Sequence, residues 1–192
     1  MDNADETKAP EPRQRRSPAL LATVVALPVA VIVCFAVFLV LAQQKEGELR
    51  ATAEAGHLKS VSAPAAGEPA CGKLLAAIPA ELGVFRRDDT TEPTGFARWT
   101  SDKAGAVEVR CGTDRPADLT NTSKLQVVNG VQWLQSTPAG APAPNGGAYW
   151  VAVDHRPYVA LWVPDSAGTA AIQAVSDAIR ANLQAASLDL GR

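Results

Sequence analysis

The sequence predicts an α+β fold. An antiparallel sheet, flanked by an N-terminal and a C-terminal helix, is exported on a single N-terminal transmembrane helix. Three observations carry this: a charge-free apolar run near the start of the chain, period-two alternation in its middle, and helical spacing of apolar residues on either side of the alternating region. With 192 residues the chain holds one compact domain plus appendages, and not two ordinary domains.

Residues 1–17 carry four acids and four bases with almost nothing apolar to bury, so this stretch is expected to be a disordered cytoplasmic tail. Residues 18–43 are the expected transmembrane helix. No residue between Arg16 and Lys45 is formally charged, and Ala19 to Ala42 is almost wholly aliphatic or Phe. At about 1.5 Å per residue such a helix crosses a hydrocarbon core of roughly 30 Å with modest tilt. Arg13, Arg15 and Arg16 precede it and the mixed charges Lys45, Glu46, Glu48 and Arg50 follow. The positive-inside rule therefore places the N-terminus in the cytoplasm, the rest outside, and the protein in the plasma membrane as a single-pass chain. A cleaved secretory signal, with Val40-Leu41-Ala42 as its triplet, is the rival reading, although its apolar core normally runs only about 7–15 residues. Both readings export the C-terminal part. The sequence leaves the fate of Cys34 open.

Residues 44–70 shift to Ala, Glu, Gly, Ser, Lys and Pro, with Leu49, Leu58 and Val61 too sparse for a core. They are expected to form a flexible linker, most clearly from Ser60 to Ala70.

Residues 71–192 form the expected extracytoplasmic domain and contain all four tryptophans and both tyrosines. Leu74, Leu75 and Ile78 share a helical face, with Leu82-Gly83 as the expected end. Arg86-Arg87-Asp88-Asp89 reads as self-neutralising loop charge. Residues 95–100 and 106–111 read as strands, with Val107, Val109 and Cys111 alternating with Glu108 and Arg110. A further strand from Leu125 to Leu134 is interrupted by Asn129-Gly130, a bulge or a tight turn. Residues 149–163 read as a hairpin turning at Asp154 to Pro157. Val151, Val153, Val159, Leu161 and Val163 are expected on one face, and Trp150, Tyr158 and Trp162 on the other. Asp165-Ser166 offers an N-cap for a helix in which Ile172, Val175, Ile179 and Leu183 recur at helical spacing. Helix, consecutive strands, helix argues an antiparallel α+β sandwich rather than βαβ units.

Cys71 and Cys111 are the only cysteines outside the apolar run, and export puts them where disulfides persist. They are expected to pair. Closing a loop of about 40 residues contributes roughly 4 kcal/mol on the chain-entropy model. A metal or redox pair is the competing reading, but the spacing is not Cys-x-x-Cys and no histidine cluster accompanies it.

The chemistry is sparse. Eighteen bases against twenty acids exclude the electrostatic footprint of a nucleic-acid binder. Only His57, in the linker, and His155, in the hairpin turn, exist as histidine bases, and no nucleophile accompanies them. His155 therefore reads as a solvated turn residue. Asp88 and Asp154 are an imaginable carboxylate pair, though turn aspartates commonly cap backbone. Pro138 to Gly147 lacks the Lys-Ser/Thr of a phosphate loop, and Asn121-Thr122-Ser123 matches a glycosylation sequon that is short enough to occur by chance. No catalytic residue, metal or cofactor is implied.

At Cys71-Gly-Lys-Leu, Val109-Arg-Cys-Gly112, Arg115-Pro-Ala-Asp-Leu119 and Gly130-Val-Gln-Trp-Leu134 the chain resembles an actinobacterial family of small membrane-anchored proteins carrying a domain of unknown function. The resemblance covers about Cys71 to Leu183. It departs at Gln132, where an acid is expected, and at Trp99-Thr100, where Trp-Gly is expected. It implies an envelope location and no activity.

Two functions follow as expectations. The preferred one is a non-catalytic binding or assembly module of the cell envelope. Its partners would be the lipid bilayer through residues 18–43 and an envelope protein or cell-wall component. Its candidate surface comprises Arg115, Asp118, Trp133, Trp150, Tyr158 and Trp162. The alternative is an envelope enzyme with an unrecognised carboxylate site, which a deep pocket holding two convergent carboxylates would favour.

Overall fold

The computed structural model describes residues 31–39, 56–88 and 93–191. The chain divides into two units, Met1–Leu49 and Arg50–Arg192. Within the first, residues 31–39 are helical. Their large apolar side chains, Phe35 and Phe38 among them, are 48–68% exposed. The rest of the 18–43 segment, and the 1–17 tail, lie outside the described residues. No helix among the described residues is long and apolar enough to cross a membrane.

The second unit is a mostly antiparallel α+β domain. Its strands are β1 Glu81–Leu82, β2 Phe85–Asp88, β3 Phe96–Ser101, β4 Gly105–Thr113, β5 Leu125–Val128, β6 Val131–Gln135, β7 Gly147–Ala152, β8 His155–Arg156, β9 Tyr158–Pro164 and β10 Gln184–Ala185. Its helices are α1 Pro69–Ala77 and α2 Ala170–Asn182. Eight strands form one sheet in the order β1-β2-β3-β4-β9-β7-β6-β5, while β10 and β8 pair separately. Two meanders, β1 to β4 and β5 to β7, are thus joined by β9, which inserts between them.

Helix α1 opens with Pro69, whose fixed φ suits the first turn and whose missing N–H costs nothing there. It stops at Ala77 rather than at Leu82-Gly83, because Pro79 drives Ile78 into extended backbone. Leu82 instead lies in β1. Residues Arg86 to Asp88 are strand, not loop. Arg87 donates to the Leu75 carbonyl at 2.6 Å and lies 5.0 Å over the Trp99 ring. Asp89 lies outside the described residues. Asn129-Gly130 is a tight hairpin turn with positive φ at both positions, 48° and 85°, the mirror-image geometry that matches strand twist. Asp165 and Ser166 do not cap α2. They open a 3₁₀ turn in which the Ser166 hydroxyl donates to the Ala104 carbonyl, and Thr169 precedes the helix.

Helices α1 and α2 pack on one face of the sheet over Trp99, Val107, Val109, Trp133, Val159 and Leu161. The Trp133 indole donates to the Ser176 hydroxyl at 2.9 Å, joining β6 to α2. Cys71 on α1 and Cys111 on β4 form the disulfide, closing a sequence separation of 40. The opposite face is buried as well. Tyr149, Val151, Val153, Ala160 and Trp162 pack there with Leu58, Val61, Phe96 and Leu119.

Leu58 and Val61, at 0% and 3% exposure, contradict the reading of 44–70 as spacer wherever that stretch is described. Residues 56–66 run as a strap along β4, held at alternate positions of that strand. The buried Glu108 carboxylate accepts the backbone N–H groups of His57 and Leu58 at 2.7 and 2.8 Å. Arg110 donates to the Val61 carbonyl at 3.2 Å and to Thr94 at 2.9 Å, and burial holds its pKa below the ordinary arginine value. Ala65 donates to the Gly112 carbonyl. Gly112 has φ of 85° at a β-bulge, and a Cβ there would strike the Ala65–Ala66 backbone. Two apolar residues suffice because polar groups of β4 anchor the backbone between them.

The pairing Ala152↔Val159 corrects the assignment of faces in the last hairpin. The intervening corner places Trp150, Ala152, Val159 and Leu161 on the helix side and Val151 and Val153 with Trp162 on the strap side. The corner itself is tied down. His155 is 6% exposed, not solvated, and its Nδ1 lies 2.8 Å from the Asp154 carboxylate. The other oxygen of Asp154 accepts the Gln132 N–H, and its carbonyl accepts that of Ala186.

Candidate functional site

The loop after β4, the loop after β6 and the strap converge on a cavity of about 270 Å³. The β4 bulge turns Thr113 onto the strap side, opposite Tyr158, and so places it in the cavity wall. Thr113 is 6% exposed, and among the described residues its hydroxyl has no hydrogen-bond partner. Val61 and Val151 supply apolar wall, and Pro116 and Pro138 stiffen the two loops. The exposed carboxylates of Asp114 and Asp118 line the same cavity.

Arg115 holds its loop rather than facing a ligand. Its Nε donates to the Asp189 carbonyl at 2.7 Å, one Nη to Pro116 at 3.0 Å and the other to Leu119 at 2.6 Å, while the Asp189 carboxylate lies 3.7 Å from Nε. Asp118 accepts the Ser136 hydroxyl at 2.6 Å. The two residues therefore make separate structural contacts, each tying the loop to another part of the domain.

Of the six residues expected at a binding surface, Arg115 and Asp118 line this cavity and the four aromatics do not. Trp133 is fully buried and Trp162 is 2% exposed. Trp162 stacks against His57 at 3.8 Å with the rings 8° apart. Tyr158 is 8% exposed beneath the Arg156 guanidinium, 3.9 Å from its ring. Trp150 is half-buried against the helix-side core. The aromatics are core because both faces of the sheet are covered. Asp88 lies on β2 and Asp154 is held by His155 and Gln132, so each is built into local structure rather than into this cavity.

Ser62, Thr113, Asp114 and Thr137 also line the cavity, and no sequence motif marks them for it. They meet only because the strap folds over β4, and their local sequence carries no trace of that. A second, more open hollow of about 490 Å³ lies between Val84 and the β3–β4 turn at Asp102 and Lys103, and among the described residues its lining has no buried polar side chain. Among the described residues no group of three or more His, Cys, Asp or Glu side chains is placed to hold a metal.

The family model described as a protein of unknown function, DUF3515, matches residues 25–188. No curated protein and no solved structure matches the chain.

Proposed function

Taking as premise that this chain belongs to the DUF3515 family, we infer that it is a non-catalytic binding or assembly module of the cell envelope, anchored in the plasma membrane through residues 18–43. The observation that carries the binding role is the cavity beside Arg115–Asp118. Its loops are fixed by the Arg115 and Asp118 contacts before any ligand arrives, so little ordering cost accompanies binding there. The charge-free run and its arginine flank support the anchor, as do the exposed apolar side chains of residues 31–39. The disulfide suits an exported domain.

The alternative, a carboxylate-based envelope enzyme, draws on the presence of Asp114 and Asp118 in one cavity. Both are exposed, whereas a carboxyl acting as a general acid needs an environment that favours its protonated form. The test is crosslinking from native membranes through a photoreactive side chain at Ala117. The expected result is one partner or wall fragment, lost when Ser62→Trp fills the cavity without lowering the melting temperature. Turnover of an envelope substrate that Asp114→Asn or Asp118→Asn abolishes would overturn the non-catalytic reading.

A further inference from the structure

We propose that the open edge of the sheet, strand β5, receives the β5 of a second copy of this chain, giving an antiparallel pair about a two-fold axis at Gln126. The proposal goes beyond the cavity and rests neither on it nor on the anchor.

The hairpin decides which backbone groups of β5 are free. β5 closes the eight-stranded sheet, and among the described residues no strand pairs with its outer side. The two-residue turn at Asn129-Gly130 makes Val128↔Val131, and with it Gln126↔Trp133, the hydrogen-bonded pairs of the hairpin. Strand β6 agrees, because its Gln132 carbonyl turns the other way and accepts the Val153 N–H at 2.9 Å. The N–H and C=O groups of Leu125 and Val127 therefore point out of the sheet.

Natural sheet edges are commonly guarded by charge, proline, a bulge or brevity. The opposite edge, β1, is two residues long, and its Glu81 carboxylate lies 3.7 Å from Arg86. Strand β5 has four residues, none of them charged or proline, in unbroken register with β6. Val127 is 68% exposed. The edge is also held in shape. The Asn129 amide donates to the Asp177 carboxylate at 3.0 Å, and Arg180 donates to the Asn129 carbonyl at 2.8 Å, so α2 fixes the turn that presents β5.

Self-complementarity commits this edge to a second copy. Antiparallel strands oppose residues whose backbone groups point the same way. With Gln126 on the axis, Leu125 faces the partner's Val127 and Val127 faces the partner's Leu125, so every outward group of both strands is used. Leu125 packs with the strap-side core and Val127 shares its face of the strand, so these cross-strand pairs are apolar. On the other face Gln126 meets the partner's Gln126, each amide offering donor and acceptor. The exposed Lys124 falls opposite the partner's Val128, beside the turn that holds Asp177, and the two lysines stay at opposite ends of the contact. A net charge of −2 per chain adds little repulsion. A flexible foreign peptide would form the same backbone bonds but lose its conformational freedom, whereas β5 is already ordered.

The experiment uses intact cells expressing the full chain with Cys34→Ser, which leaves Gln126→Cys as the free thiol. Non-hydrogen-bonded partners have Cα atoms about 4.5 Å apart, within disulfide reach, so copper phenanthroline should convert Gln126→Cys into a covalent dimer. Lys124→Cys should give none. Val127→Pro removes an outward N–H and leaves the bonds to β6 in place, so it should abolish the Gln126→Cys dimer. Val127→Lys, at an exposed position, should do the same with an unchanged melting temperature, and it decides the matter if the proline variant is unstable. In the purified full chain the Leu125 and Val127 amides should exchange more slowly as protein concentration rises, while those of Gln126 and Val128 stay constant. Absence of the dimer overturns the proposal, as does equal crosslinking at Lys124→Cys or a dimer that persists with Val127→Lys. Mass spectrometry that finds Gln126→Cys joined to a different protein gives the edge to a foreign strand and overturns the second copy.

Discussion

Glu108 shows at the scale of one residue how this sheet comes to be covered on both faces. A fully buried carboxylate is tolerated here because it accepts two backbone N–H groups, with the His57 imidazole and the Arg98 guanidinium 3.9 and 3.8 Å from its other oxygen. Glu108→Ala leaves those N–H groups without their acceptor and is expected to cost about 2–4 kcal/mol, read from urea denaturation, with faster amide exchange at His57 and Leu58. Tyr149 lies nearby on the same face. Burial, and then the charge of Glu108, push its phenol above the ordinary 10.0 while its hydroxyl donates to Pro142. The fold therefore keeps a proton that the unfolded chain releases first. Stability from this group is intact below pH 10 and is lost as pH rises past it. Tyr149→Phe should flatten that alkaline loss in urea midpoints measured on either side of pH 10. Neither role was legible in the sequence. Alternation along β4 identifies two faces, and only the tertiary fold decides that the face bearing Glu108 and Arg110 is buried. The segment that covers it is rich in Ala, Gly, Ser and Pro, the composition of a spacer.

The elements themselves were largely legible. Period-two runs found β4, β6, β7 and β9, helical spacing found α1 and α2, and the cysteine pairing agrees with the structure. The misplacements have local causes: Pro79 shortens α1, a 3₁₀ turn precedes α2, and the corner between Ala152 and Val159 sets a register that exchanges the faces of Val151 and Val153. Because the disulfide joins α1 to β4, Cys71→Ala combined with Cys111→Ala should lose about 2–5 kcal/mol, visible as a lower melting temperature for the variant than for the oxidised wild type. Gly112 is the tighter constraint. Its φ of 85° already disfavours a side chain, and any Cβ meets the strap. Gly112→Ala is therefore expected to displace residues 65–66 and cost more than the roughly 1–2 kcal/mol of the backbone conformation alone, measured by denaturation and by exchange at the Ala65 amide. Half of the candidate site was legible on the same terms. Arg115 and Asp118 stand out as charges flanking a proline turn, whereas Thr113 and Ser62 reach the cavity only through the bulge and the strap.

For the whole molecule, topology is the first question. A reporter fused after Arg192 is expected to be active only outside the cytoplasm, and cytoplasmic activity would refute the anchored orientation. The strand order was not legible, since periodicity cannot say that β9 enters between two meanders. On the anchoring proposed through residues 18–43, the strap gains a mechanical meaning. A tensile load entering there meets the anchors at Glu108, Arg110 and Gly112 one after another along β4, so they part in succession, as a peeled seam does, rather than together. Peeling stops at Cys71, where the covalent bond passes the load directly to β4 in the middle of the sheet. Residues 56–70 thus form a compliant lead whose slack can be drawn out while the sheet behind the crosslink stays whole. Val61 and Ser62 line the cavity, so on the proposed anchoring and binding roles tension on the tether and occupancy of the cavity would oppose each other.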